Sequence, residues 1–150
     1  MHYRGGIAAI LFQSMTGREE IVIGNKGADY VSLVVVTGRD IEGWSGATIE
    51  VHCDGWAGSM RGCFQTGELA GFAEEIRGLH RKLSGIARLK PLEPNVTLTL
   101  IGDGKGHITV EGVAQNHFAS GTELTFRFTI DQTYLKGIAD SLNRADPVSS

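Results

Sequence analysis

The sequence predicts an α+β domain of two layers, a mostly antiparallel β-sheet with two amphipathic helices packed on one face. Three observations carry that prediction. Strand-like segments with a period of two occur in runs rather than alternating one by one with helices. Apolar residues recur at steps of three and four in two separate places, after Thr66 and after Asp131. From Val96 to Ile130 the alternation of a half-buried strand returns three times. The chain has 150 residues, 41% of them apolar and 21% charged, which is enough for one domain to bury its own core without disulfides or a metal. The domain is expected over 19–145, with 1–18 as an N-terminal extension or extra edge strand and 146–150 as a C-terminal tail.

Taken in order, Ile7 to Phe12 is an apolar run that follows Arg4. It is too short to span a membrane, which takes ~20 residues, and no small-residue cleavage site follows it. Met1 to Arg18 therefore reads as a tail, an extra edge strand or an extension upstream of a start at Met15. Ile21 to Ile23 precedes a turn-rich cluster, Gly24-Asn25-Lys26-Gly27. Tyr30 to Val36 is a β-branched run with little polarity, which predicts a central strand covered on both faces. After a turn over Ile41 to Gly46, Ile49, Val51 and Cys53 alternate with Thr48, Glu50 and His52. Asp54-Gly55 is a tight hairpin signal, so Trp56 to Phe64 should return antiparallel.

Thr66 is expected to cap the first helix through its hydroxyl, with Glu68 placed where the helix dipole favours an acid. The stripe Leu69, Phe72, Ile76, Leu79, Leu83 faces a core, while Glu74, Glu75, Arg77, Arg81 and Lys82 take the other faces. A short strand over Ile86 to Leu89 follows, and Pro91 and Pro94 bar regular pairing in the next connection. Val96, Leu98 and Leu100 then alternate with threonines, Ile108 and Val110 resume the pattern after a glycine-rich turn, and Leu124, Phe126, Phe128 and Ile130 repeat it. Asp131 caps a second helix whose apolar positions are Leu135, Ile138 and Leu142.

Composition excludes several functions. A formal net charge of -3, with Arg77, Arg81 and Lys82 set among acids, is not the basic stripe of a direct nucleic-acid binder. Two cysteines, Cys53 and Cys63, form neither a secreted disulfide framework nor a metal knuckle, so a reducing cytoplasm is the expected location. If the strands carrying them pair, a bridge could form; two small buried thiols are the simpler reading.

The residues able to carry chemistry do not assemble into a site. Gly102-Asp103-Gly104-Lys105-Gly106 is rich in glycine, but a phosphate loop leads from a strand into a helix, and here strands flank it on both sides. His52, His80, His107 and His117 lack the spacing of a metal site. Cys63 lies just before the helix cap rather than at a helix N-terminus that would stabilise a thiolate. No catalytic residue, metal ligand or cofactor is therefore expected. Trp44 and Trp56, each followed by a small residue and glycine, stand at the two ends of one predicted strand pair. They either cover a core edge or anchor a partner.

Thr66-Gly67-Glu68-Leu69-Ala70-Gly71-Phe72, Leu79-His80-Arg81-Lys82-Leu83-Ser84-Gly85, Leu92-Glu93-Pro94-Asn95, the Gly102-Asp103-Gly104 turn, and Leu124-Thr125-Phe126 through Asp131-Gln132-Thr133-Tyr134-Leu135 together resemble the WapI family of immunity proteins. The resemblance runs from Glu20 to Leu142, and its motifs are caps, turns and core positions. It implies a small cytoplasmic, non-enzymatic protein that binds the C-terminal domain of a contact-dependent polymorphic toxin, the name-giving toxin being a tRNA-cleaving nuclease. It carries no site residues with it. From the residues themselves, Trp44, Asp54, Trp56 and Glu68 are the expected partner-binding positions, acting by steric and electrostatic masking. A small-molecule binding protein or modest enzyme is the alternative, with a pocket between sheet and helices offering His52, His80 or His117. A homodimer joined through sheet edges or faces is a third.

Overall fold

In a computed structural model the described residues are 17–116 and 121–147, so Met1 to Thr16 and His117, together with the expectations placed on them, lie outside. The period-two segments form strands β1 (Arg18–Gly24), β2 (Tyr30–Val36), β3 (Trp44–Cys53) and β4 (Trp56–Gln65), followed by helix α1 (Glu68–Lys82). The pattern then recurs as β5 (Ser84–Leu89), β6 (Val96–Asp103), β7 (His107–Gln115) and β8 (Glu123–Asp131), a 3-10 turn (Gln132–Tyr134) and helix α2 (Leu135–Ala145). The chain runs twice through four strands and a helix, a repeat of topology with no matching repeat in sequence.

Each strand pairs antiparallel with its neighbour in the chain, and the strands form two sheets, ordered β1-β2-β3-β4 and β5-β6-β7-β8. The α+β class and the antiparallel pairing are as the sequence predicts. The division into two sheets is new information, because a period of two assigns a residue to a face but does not say where a sheet ends. Across the first sheet Ile21, Leu33, Ile49 and Met60 form one row of cross-strand neighbours; across the second, Ala87, Leu100, Val110 and Phe128 form another. Both rows belong to one apolar core shared with Leu69, Phe72 and Ile76 of α1 and Leu135, Ile138 and Leu142 of α2. The helices pack on each other, α1 also against β5 and α2 also against β1. Each helix thus lies along the first strand of the sheet that its own strands do not form.

Two glycines are notches in this core. A Cβ on Gly112 would sit 2.2 Å from the Phe126 ring, and one on Gly102 would sit 2.3 Å from the Leu83 carbonyl oxygen at the end of α1. Leu83 closes that helix with φ 61, its N–H donating to Leu79, and Gly104 N–H then donates to Leu83 at 2.9 Å.

The start of α1 departs from expectation. Thr66 does not cap it: its hydroxyl donates to the Gly43 carbonyl at 3.0 Å, and Gly67, with φ 92, occupies the cap position. The opening N–H groups of Gly67 and Ala70 instead donate to Oδ2 of Asp146, at 2.9 and 3.0 Å. Its other oxygen pairs with Arg39, and Asp146 is only 3% exposed. A residue that the sequence assigns to a tail thus supplies the carboxylate that closes the start of a helix almost eighty positions earlier. Asp131 behaves as expected, accepting from Thr133 N–H at 2.9 Å.

Asp146→Ala removes a cap and strands the Arg39 guanidinium, which is itself partly solvated. A loss of about 2–4 kcal/mol in urea unfolding is expected, between that of a lost N-cap and that of a broken buried pair. Gly112→Ala should cost about 1–3 kcal/mol by overpacking, measured in the same way and without loss of the fold.

Candidate functional site

The β3–β4 hairpin carries two of the four expected partner-binding residues at its tip. Asp54 and Gly55 have φ 54 and 85, both positive as a two-residue type I′ turn requires. Asp54 N–H donates to Oδ1 of Asp29 at 3.0 Å, which fastens this tip to the β1–β2 turn. Trp56 follows directly and is 72% exposed, while Cys53 opposite it is buried with its thiol 3.3 Å from the Arg127 carbonyl oxygen of β8. On the outer face of the same sheet Tyr30 and His52 stack with ring centroids 4.7 Å apart. A fixed turn therefore presents an indole to solvent beside a carboxylate.

The other two expected residues are at the opposite end. Trp44 pairs with Gln65, nine strand positions from the Cys53–Trp56 pair, about 30 Å at the usual strand rise. It is half-buried, and its N–H donates to Oδ1 of Asp40 in a turn that Asp40 also braces through Glu42 N–H. Glu68 is used inside the fold, Oε1 accepting from Gln65 N–H and Oε2 from Leu92 N–H, each at 2.6 Å. The structure thus joins Asp54 to Trp56 and separates both from Trp44 and Glu68.

Beside the tip hollows lie between the two sheets. One hollow of about 270 Å³ lies between Cys53, Asp54 and Trp56 and the β8 residues Leu124 to Arg127. A second, of about 300 Å³, is lined by Ile49, Val51, Gly58, Met60, Ala114 and Leu124 among others. Among the described residues neither is lined by histidine: His52 stands on the outer face of its sheet and His80 on the exposed side of α1. The cysteines sit at opposite halves of the hairpin, Cys53 opposite Trp56 and Cys63 opposite Gly46, so they cannot bridge, and both are free. Burial, with Glu93 and Glu68 nearby, pushes the Cys63 thiol up, away from the thiolate a nucleophile needs.

The glycine-rich turn is a hairpin turn as expected. Asp103 accepts from Lys105 N–H at 2.7 Å and His107 N–H at 3.1 Å, and meets the His107 ring at 2.9 Å. These contacts, the Lys105 N–H first, bring its carboxyl down to about 2. Among the described residues no group of three or more His, Cys, Asp or Glu could hold a metal, and no helix is long and apolar enough to cross a membrane.

The profile of the immunity protein WapI-like family matches residues 23–145, most of the chain. The chain belongs to that family. None of the curated proteins compared with it matches. Among solved structures, MRP1/MRP2 of Trypanosoma bruciei is similar over 96% of this chain and 94% of that one, with 11% identity and a TM-score of 0.46. In this WapI-like chain the family match covers the whole β3–β4 hairpin, both helices and the second sheet, and enters the first sheet near the end of β1. Sequence reasoning found the exposed tip through its turn residues and its tryptophan. It missed Asp146 and Asn95, whose roles rest on contacts between residues far apart in the chain.

Asp103 gives a pH test. Its folded carboxyl titrates below the unfolded one, so its contribution is present above the unfolded value near ~3.9 and is lost as pH falls toward about 2. Thermal melts of Asp103→Asn should lose less stability than wild type between those two pH values. An unchanged acid limb would show that the turn does not hold the charge.

Proposed function

We propose that the protein is an immunity protein that binds a cognate toxin domain in the cytoplasm and neutralises it by steric and electrostatic masking, without chemistry of its own. Family membership supports the partner class. The observation that carries the reading is Trp56, a large aromatic 72% exposed on a turn whose backbone is fixed at both central residues and at Asp29. Such an anchor loses little conformational freedom on docking, and aromatics of this kind dominate interfaces. The acids on the same hairpin, Asp54 beside it and Glu50 on the outer face, suit a basic surface such as the cleft of a nuclease. Asp54 and Trp56 form the docking end; Trp44 and Glu68 join it only if the partner spans the length of the hairpin.

Titration calorimetry against a candidate cognate toxin C-terminal domain tests the reading. Wild type should bind and abolish the toxin's activity, and Trp56→Ala should weaken binding by roughly 30-fold or more, as loss of a hot-spot aromatic does. A folded wild-type protein that neither binds nor protects would contradict it.

A further inference from the structure

The two meander sheets have four outer strands, and the fold deals with most of that edge. Strand β5 is backed by α1, with Arg88 N–H donating to Glu75 at 2.9 Å. Strand β1 is backed by α2, with Glu19 tied to Arg144 at 2.8 Å. Strand β8 runs against the turn ends of the first sheet, where Cys53 meets the Arg127 carbonyl. The second half of β4 is closed by side chains: Cys63 N–H points at Oδ1 of Asn95 at 3.4 Å, and Gln65 N–H donates to Glu68.

The first half of β4 is treated differently. Backbone groups alternate in direction along a strand, so the outward aim of Cys63 and Gln65 N–H fixes the same aim for Ala57, Ser59 and Arg61. Among the described residues none of these three backbones meets a group across the edge. Trp56, Ala57, Gly58 and Ser59 are all exposed, and no charge interrupts the stretch before Arg61. Exposed edges ordinarily carry charges, prolines or cover, because an open one pairs with other chains.

The inner side of this stretch opens on the apolar hollow of about 300 Å³. Side chains of a strand laid antiparallel along β4, opposite Gly58 and Met60, would point to the same side as these two residues. They would enter the hollow between Met60, Ala114 and Leu124, next to the hollow that Trp56 lines. On the outer face Glu50 is cross-strand from Ser59, and at the tip Asp54 borders the hollow beside Trp56; these two acids favour basic residues on the tip-side part of an added strand, while Arg61 puts the opposite sign at its far end.

We infer that the open edge of β4 from Trp56 to Arg61 accepts an extended strand of a basic partner protein, adding it to the first sheet, with an apolar side chain in the Ile49–Met60–Leu124 hollow and basic side chains toward Glu50 and Asp54. The inference rests on the proposed immunity function and specifies how that partner is held. Backbone pairing supplies affinity that most sequences could satisfy, while the hollow and the two acids select among partners.

The test uses the full chain and the same candidate toxin domain, read by hydrogen exchange and calorimetry. In the complex the amides of Ala57, Ser59 and Arg61 should become protected. Ser59→Pro, whose lost N–H faces away from β3 and so spares the hairpin ladder, should bind roughly tenfold or more weakly, the equivalent of a lost edge hydrogen bond and its displaced neighbour. A complex that forms with those three amides still exchanging freely would overturn the edge proposal and leave the immunity reading standing. No complex with wild type would overturn both. Protection of the same amides in the free protein, rising with concentration alongside a dimer in light scattering and lost in Ser59→Pro, would assign the edge to a second copy and overturn the partner proposed here.

Discussion

Unpaired backbone at the margins of the two sheets is the constraint around which the rest of the structure is arranged. Every outer strand offers N–H and C=O groups that water, another element or another chain must satisfy. Here each helix crosses over to back the sheet formed by the other half of the chain, α1 along β5 and α2 along β1. This exchange joins the two halves, because neither sheet has its first edge covered by its own helix. Asp146 completes the joint: it ends α2, caps α1 through Gly67 and Ala70, and pairs with Arg39 after β2. Three distant parts of the chain meet on one buried carboxylate.

The same constraint connects architecture to function. On the proposed reading the protein works by covering another one, which calls for surface rather than a reactive group. The turn with the most strongly lowered carboxyl, at Asp103, uses it to hold its own backbone. Burial raises the Cys63 thiol, and the Tyr30–His52 stack lies away from the hollows. What remains unspent is the hairpin tip with Trp56 and the open stretch of β4 beside it. Glycine and small residues there leave room on the inner side, and the tip is held firmly enough to keep that room open.

How much of this could be read from the sequence depends on the range of the interaction involved. Alternation at Ile49, Val51 and Cys53, or at Leu124 to Ile130, reports a face, so strands and core positions were legible. Asp54-Gly55 reports a turn through its positive φ values, and the exposed tip followed from it. Thr66 shows the limit: its hydroxyl has a helix start within reach and bonds to Gly43 instead, because Asp146 arrives from the far end of the chain. Glu68 satisfies the dipole rule and also closes Gln65 and Leu92, a use that no local pattern announces. Asn95, buried at 3% and facing Cys63, belongs to the same class. The break between the two sheets was likewise illegible, since it is set by which edges the helices cover.

Native-state hydrogen exchange of the free protein tests the edge account most directly, since it reads each amide without any partner. The amides of Ala57, Ser59 and Arg61 should exchange at close to unprotected rates, while those of Gly58, Met60 and Gly62, which point into the hairpin, and Arg88, which donates to Glu75, are protected. Strong protection of Ala57, Ser59 and Arg61 in the dilute free protein would show that the molecule closes this edge itself, and would contradict the claim that it is kept open for a partner.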